Sequence, residues 1–243
     1  MYLKKIWQDY KDLTYNVPSV IMALFCVSVV LMNLLANKEI NTGISWLALD
    51  CGLTVSWLSF LAMDMLTKRF GPKASIKLSL TASAINLLVC GFLLFCSKLP
   101  GNWAAFYDFE SETVNQALNN TFGGTWYVLM GSTIAFIVSA IVNALLNAGI
   151  GSMMKKDNFA AYAARSYIST LFAQFVDNMV FALIVSHVFF GWTLLQCVTC
   201  SLTGCIVELL CEVIFSPIGY KVCKKWEEEN VGSAYINRAE VSD

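Results

Sequence analysis

Charge is what this chain has least of. Lysine, arginine, aspartate and glutamate make up 14% of its 243 residues, against about 25% in an ordinary soluble domain, so a water-exposed globule is excluded. Histidine is nearly absent: His187 stands alone, and no metal-ligand cluster accompanies it. No glycine-rich phosphate loop of the Walker type occurs, so the chain itself hydrolyses no nucleotide. A net charge of -1 and a pI near 5.9 remove the basic face that a nucleic-acid binder shows. No cofactor is expected.

What remains is apolar. Hydrophobic residues account for 57% of the chain and the mean hydropathy is +0.62, the composition of an integral membrane protein. Of the nine cysteines, Cys26, Cys51, Cys90, Cys205 and Cys211 lie within apolar spans, where they act as small hydrophobes. Cys197 and Cys200 form a CxxC, but no second ligand pair accompanies it.

A helix needs about 20 apolar residues to cross the hydrocarbon core. Six such runs are read, at about 17–36, 44–66, 76–96, 126–150, 162–190 and 193–220. The expected fold class is therefore all-α: a polytopic membrane protein of six transmembrane helices. Residues 1–16 are a polar N-terminal segment, 17–220 the transmembrane domain and 221–243 a polar tail. No small-x-small cleavage site follows the first span, so it is expected in the mature protein. Of sixteen lysines and arginines, only Lys38 and Lys98 fall in the alternate loops. The positive-inside rule then places both termini in the cytoplasm. The one sizeable external segment, 97–125, carries Asp108, Glu110 and Glu112 among Trp103, Phe106, Tyr107 and Phe109. It is either an interfacial lid or an aromatic belt. Asn119 heads an Asn-x-Thr sequon, which matters only in a secretory-pathway host.

The polar residues inside the spans carry the functional signal. A carboxylate near the bilayer centre costs about 2.5 kcal/mol or more, so it survives where it meets a partner, a proton, an ion or a solute. In the fifth span Thr170, Gln174, Asp177 and Phe181 fall on one helical face, with Asn178 beside them, as the 3.6-residue period dictates. That stripe reads as a binding site for a polar solute. Asp50 lies near the outer third of span two, where water can reach it. Asp64, just before Lys68, Arg69 and Gly71-Pro72, is either part of a helix end or part of an inner gate paired with Arg165. Span four repeats small residues (Gly131, Ala135, Ser139; Ala140, Ala144, Ala148), which suits a central helix. Its Asn143 and Asn147 either join helices or contact solute. Glu208 and Glu212 lie one turn apart in span six and would repel if both were ionised, so one is expected protonated or paired, a candidate proton carrier. Pro217 kinks or ends that helix. A five-residue echo links Ser139–Asn143 to Ala173–Asp177, as internal repeats do in transporters.

Together these residues resemble the vitamin uptake transporter family of queuosine-precursor transporters. That family's inner loop, Asp-x-x-Thr-Glu-x-Tyr/Phe-Gly, is matched by Asp64, Thr67, Lys68, Phe70 and Gly71. Its fourth-span pattern is matched from Gly131 to Asn143. Its fifth is matched by Arg165, Ser169-Thr170, Gln174, Asp177-Asn178 and Phe181, and its last by Glu212, Pro217 and Tyr220. The resemblance covers roughly residues 50–228. Lys68 replaces an acid, Ala140 a glutamine, Asn143 an aspartate and Asn178 a threonine, as in a subfamily of altered specificity.

The resemblance implies uptake of a 7-deazaguanine (the 7-cyano or aminomethyl compound, or queuine) across a bacterial inner membrane, by secondary or facilitated transport. A guanine-type edge presents adjacent N–H donors that one carboxylate can accept as a charge-assisted pair. Asp177 or Glu212 is expected to take that edge and Gln174 or Asn143 the ring carbonyl. Thr170 and Asn178 lie alongside, and Phe181 or Trp57 stacks on the base. Asp64, Arg165 and Glu208 are assigned to gating or coupling. The expected partners are the deazapurine, the lipid bilayer and a second copy of the chain that small-residue faces would permit, with no nucleic acid. The alternative is a substrate-binding subunit that borrows an ATPase module to move another heterocycle. An intramembrane enzyme is disfavoured because His187 lies roughly 15 Å along the helix from Asp177. A purely structural role leaves the span-five stripe unexplained.

Overall fold

In hydrocarbon every backbone N–H and C=O must be bonded within the protein, and for a single apolar run the helix achieves this locally. A computed structural model describes residues 2–40, 43–44, 46, 49–103, 112–123, 126–154, 158–188 and 191–242. The elements are α1 (Tyr2–Asn16), α2 (Ser19–Leu35), β1 (Glu39–Ile40), β2 (Leu49–Asp50), α3 (Leu53–Phe70), α4 (Pro72–Lys98) and α5 (Glu112–Gly123). They continue with α6 (Trp126–Met153), α7 (Phe159–Phe181), a π-helical turn (Ala182–His187), α8 (Leu194–Glu228) and α9 (Ser233–Ser242). The regular structure of the described residues is thus helical apart from one antiparallel pairing, Glu39 with Asp50 and Ile40 with Leu49.

Among the described residues, four helices are long and apolar enough to cross a membrane: α4, α6 from Leu129, α7 with its π turn, and α8. The pair α1–α2, bent by 106° at its break, adds a fifth if taken as one span. α3 is the departure, because its 18 residues include Asp64, Lys68 and Arg69. Its start also corrects the expectation of a span from residue 44. Leu49 and Asp50 are in a strand, and the Asp50 carboxylate accepts the Gly52 N–H at 2.6 Å. Such a short side chain, bonded to backbone two residues on, competes with helix and sets its beginning. Pro217 does not end the last span either: α8 runs through it to Glu228. One lost backbone bond is outweighed where Ser216, Gly219 and Cys223 are buried against the bundle.

The polar tail is likewise a docked helix. Arg69 Nε donates to Val231 O at 2.9 Å, Lys68 pairs with Glu227 at 3.2 Å, and Tyr235 of α9 is buried in the main core. Arg238 reaches Asp12 of α1 at 2.5 Å, so both terminal helices sit at the same end of the bundle. The aromatic Trp103 of the long loop packs on Phe122 at 5.2 Å and donates to Asn119 at 2.6 Å. Phe106, Tyr107, Asp108, Phe109 and Glu110 lie outside the described residues.

Around α6 the bundle closes: that helix packs on α3, α4 and α7, and α7 and α3 both pack on α8. Phe25, Phe60 and Phe136 fill the centre with Met63, Leu66 and Leu78. The outer surface is the reverse of a soluble protein's, with Leu88, Phe92, Leu195 and Ile214 about two-thirds or more exposed, the arrangement a lipid solvent favours.

Gly131 of α6 is needed for a close approach. A Cβ there would lie 2.3 Å from Val185 Cγ2 in the π turn, and a β-branched side chain cannot swing away at little cost. Gly131→Val is expected to lower the melting temperature of the detergent-solubilised protein, as overpacking costs about 1–3 kcal/mol. Adding Val185→Ala should restore most of it; a second substitution that only worsens the melt would refute this packing.

Candidate functional site

The polar stripe of α7 faces inward, but it divides into two levels that meet different helices. Nearer the end of the bundle opposite the termini is an open pocket, lined by Met32, Ala36, Asp50, Gly52, Leu53, Ser56, Ser132, Asp177, Asn178, Phe181 and Glu208. The cavity itself is about 50 Å³, and about 430 Å³ of space is counted when its open mouth is included. Ser139 Oγ donates to Asp177 Oδ1 at 2.8 Å. Asp177 Oδ2 has no partner among the described residues. Asn178 Nδ2 donates to Glu208 Oε2 at 3.2 Å, and the Ser56 hydroxyl bonds Glu208 Oε1, so both oxygens of that glutamate are engaged. Gly204 of α8 makes room for the amide, since a Cβ there would meet Asn178 Nδ2 at 2.8 Å. Phe181 is the last α-helical residue before the π turn, and π insertions recur at functional sites.

One to two turns deeper lies a closed polar cluster with Asp64 at its centre. Asn143 and Asn147 of α6 each donate an amide N–H to Asp64 Oδ1 at 2.8 Å. Thr170 donates to Oδ2 at 3.1 Å, and the Ser166 hydroxyl bonds the same oxygen. Ser166 Oγ also lies 2.5 Å from Glu212 Oε1. Asp64, Asn143, Asn147, Ser166, Thr170 and Glu212 are all fully buried. One carboxylate of α3 thus ties together α6 and α7, and through Ser166 reaches α8. Such a network replaces the hydration that Asp64 loses on burial.

Not every donor and acceptor is used. Among the described residues Asn143 Oδ1, Asn147 Oδ1, Glu212 Oε2 and both polar atoms of Gln174 are buried without a partner. Gln174 lies on α7 one turn from Thr170 and one turn from Asn178, between the two levels. Native structures leave few such atoms, and each costs about 1–3 kcal/mol when unpaired. Their concentration along one path through an apolar bundle suits a polar solute or its counter-ion.

The expected site residues therefore separate. Asp177, Asn178, Phe181 and Glu208 come together at the pocket, and Asp50 and Ser56 join them. Thr170, Asn143, Glu212 and Asp64 belong to the deeper level, and Gln174 lies between the two. Arg165 is not paired with Asp64: it lies over the Tyr162 ring at 5.4 Å, and its Nε and Nη2 have no partner among the described residues. Trp57 stands outside the pocket, stacked on Phe215 with centroids 4.3 Å apart and its indole N–H on Thr54 O at 2.9 Å. Ser166 is the participant that the sequence argument missed. Extending the stripe one turn back from Thr170 would have found it. His187 bonds Trp192 O at 2.6 Å on the exposed side.

A multi-pass helical bundle with a half-open polar pocket is the architecture of a membrane transporter for small solutes. The family model described as "Putative vitamin uptake transporter" matches residues 50–222. The chain belongs to the vitamin uptake transporter family. No curated protein and no solved structure matches it. The match spans α3 to α8, so it contains the pocket and the Asp64 cluster alike.

Ser166→Ala removes the hydroxyl shared by the two buried carboxyl groups. It is expected to destabilise the protein by about 1–3 kcal/mol, the effect of an orphaned buried partner, read as a lower melting temperature. Ser152→Ala, an exposed hydroxyl bonded only to Gly149 O, serves as the control. Equal melts for the two variants would show that the cluster does not hold the helices together.

Proposed function

We propose that this chain takes up a queuosine precursor, a 7-deazaguanine, across the bacterial inner membrane by secondary or facilitated transport. The observation that carries this is the free Asp177 Oδ2 in a half-open pocket that also holds Asn178 and Phe181. A guanine edge offers two adjacent N–H donors, and an unengaged carboxylate oxygen accepts them with charge assistance. Glu208 is less suited, because Ser56 and Asn178 occupy its oxygens. The Asn178 amide, exchanging Glu208 for the solute, supplies a donor to the ring carbonyl. Phe181 supplies the stacking face.

In this proposal α3 is the sixth crossing, its charge neutralised by burial against α6 and α7. Both termini then face the cytoplasm, where the basic loops belong, and the pocket opens outward. A cysteine placed in segment 97–125 should react with an impermeant thiol reagent in intact cells, whereas one at Lys224 should react only after lysis. Labelling of Lys224→Cys in intact cells would overturn the orientation.

The functional test is restoration of tRNA queuosine in a bacterial host lacking both synthesis and uptake. Cells expressing this chain should recover queuosine from a nanomolar precursor. Asp177→Asn should raise the precursor concentration required by about 10- to 100-fold, as loss of a charge-assisted hydrogen bond implies. Absence of rescue by any of the three precursors, with the protein inserted, would reject the substrate. Uptake that needs an added ATPase module would instead assign the chain as a binding subunit.

A further inference from the structure

The pocket leaves the deeper cluster without a task. Asp64 and Glu212 are bridged by the Ser166 hydroxyl, fully buried, in the membrane half nearer the termini. The donors around them are countable. A serine hydroxyl has one proton, yet Ser166 Oγ lies within hydrogen-bond reach of both carboxyl groups. One hydroxyl proton serves one of them, so the other contact needs a proton on the carboxyl oxygen. The pair therefore requires one more hydrogen than its neighbours supply.

No fixed charge takes that place. From α3 the nearest base is Lys68, which is engaged with Glu227 at 3.2 Å. α6 presents only the neutral Asn143 and Asn147. From α7 come Arg165, held over the Tyr162 ring, and the Tyr162 phenol. From α8 come the Cys223 thiol, which donates to Met65 O at 3.7 Å, and Glu208 one turn away in the pocket. Among the described residues neither Asp64 nor Glu212 has a lysine or arginine as an ion-pair partner. Two buried like charges on one hydroxyl, without an ion-pair partner among the described residues, repel strongly enough that one takes a proton.

Independent of the acids, fully buried polar atoms converge here without partners: Glu212 Oε2, Asn143 Oδ1, Asn147 Oδ1 and both ends of Gln174. The two asparagines hold Asp64 through their other atom, so their free oxygens belong to the same cluster. Gln174 stands between this cluster and Asp177. The vacant acceptors make a place where an O–H can be received in more than one orientation.

We infer that Asp64 and Glu212 hold a single exchangeable proton between them, and that this proton is the coupling ion of transport. Loading forms one O–H bond, on a carboxylate oxygen, with a proton drawn from water on the pocket side. Unloading breaks that bond and returns the proton to water on the side of the termini. Nothing is oxidised or reduced. Coupling rests on the transport proposed above, whereas the proton itself does not.

Two measurements separate these. Infrared spectroscopy of the purified, lipid-reconstituted chain should show a protonated-carboxyl C=O band at neutral pH, part of which disappears in Glu212→Gln and in Asp64→Asn. The same band in wild type and both variants would overturn the shared proton. In proteoliposomes, radiolabelled 7-cyano-7-deazaguanine should accumulate several-fold more with an alkaline interior than without a gradient, and Glu212→Gln should lose that stimulation. Accumulation that follows sodium and ignores pH would overturn the assignment. If wild type moves no label while the variant-sensitive band is present, the substrate proposal fails and the proton pair stands.

Discussion

Everything in this bundle is arranged around one carboxylate that has been taken out of water. Asp64 accepts hydrogen bonds from four side chains, Asn143, Asn147, Ser166 and Thr170, and those belong to two helices other than its own. A buried ion without such partners would cost several kcal/mol. The requirement therefore fixes which faces of α6 and α7 turn toward α3. Apolar packing alone is a weak director in lipid, because tails are as apolar as leucine. Polar ties of this kind set the rotation of each helix, and the small residues of α6 then let the backbones close up.

That rotation explains why two glutamates one turn apart do different work. On α8, Glu208 and Glu212 point to the same side, as their spacing requires. α7 meets them with different residues, Asn178 at one level and Ser166 at the other. One carboxyl group is thereby exposed to the pocket and the other sealed in the cluster. A single helical face, read against a second one, becomes two chemically distinct places.

Much of this was legible before any coordinates. The inward stripe of α7, the central position of α6 and the membrane class follow from periodicity and composition, because lipid leaves a chain few options. The rest depended on partners distant in sequence. Trp57 reads as a stacking residue until Phe215, far along the chain, occupies its face. Arg165 reads as the counter-ion of Asp64 until neutral amides prove to fill that role. The residues around 44–50 are apolar enough for a helix, and only the local bond from Asp50 to Gly52 shows why the helix waits until Leu53. Pro217 predicts a break, but the cost of one missing donor is small beside a helix buried on one side along its length.

The uninterrupted course of α8 has a mechanical meaning. Its 35 residues extend about 52 Å, well beyond a hydrocarbon core of about 30 Å. The segment from Glu208 to Glu227 is one rod about 28 Å long, with the pocket carboxylate at its head and the Lys68 tie at its tail. A tilt of about 5° at the pocket sweeps the tail by about 2.5 Å. That exceeds the tolerance of a hydrogen bond such as the one from Arg69 to Val231. A tilt of that size at the pocket would be enough to break the clasp at the far end. The terminal helices, though remote from the pocket, are thus joined to it mechanically through the length of α8.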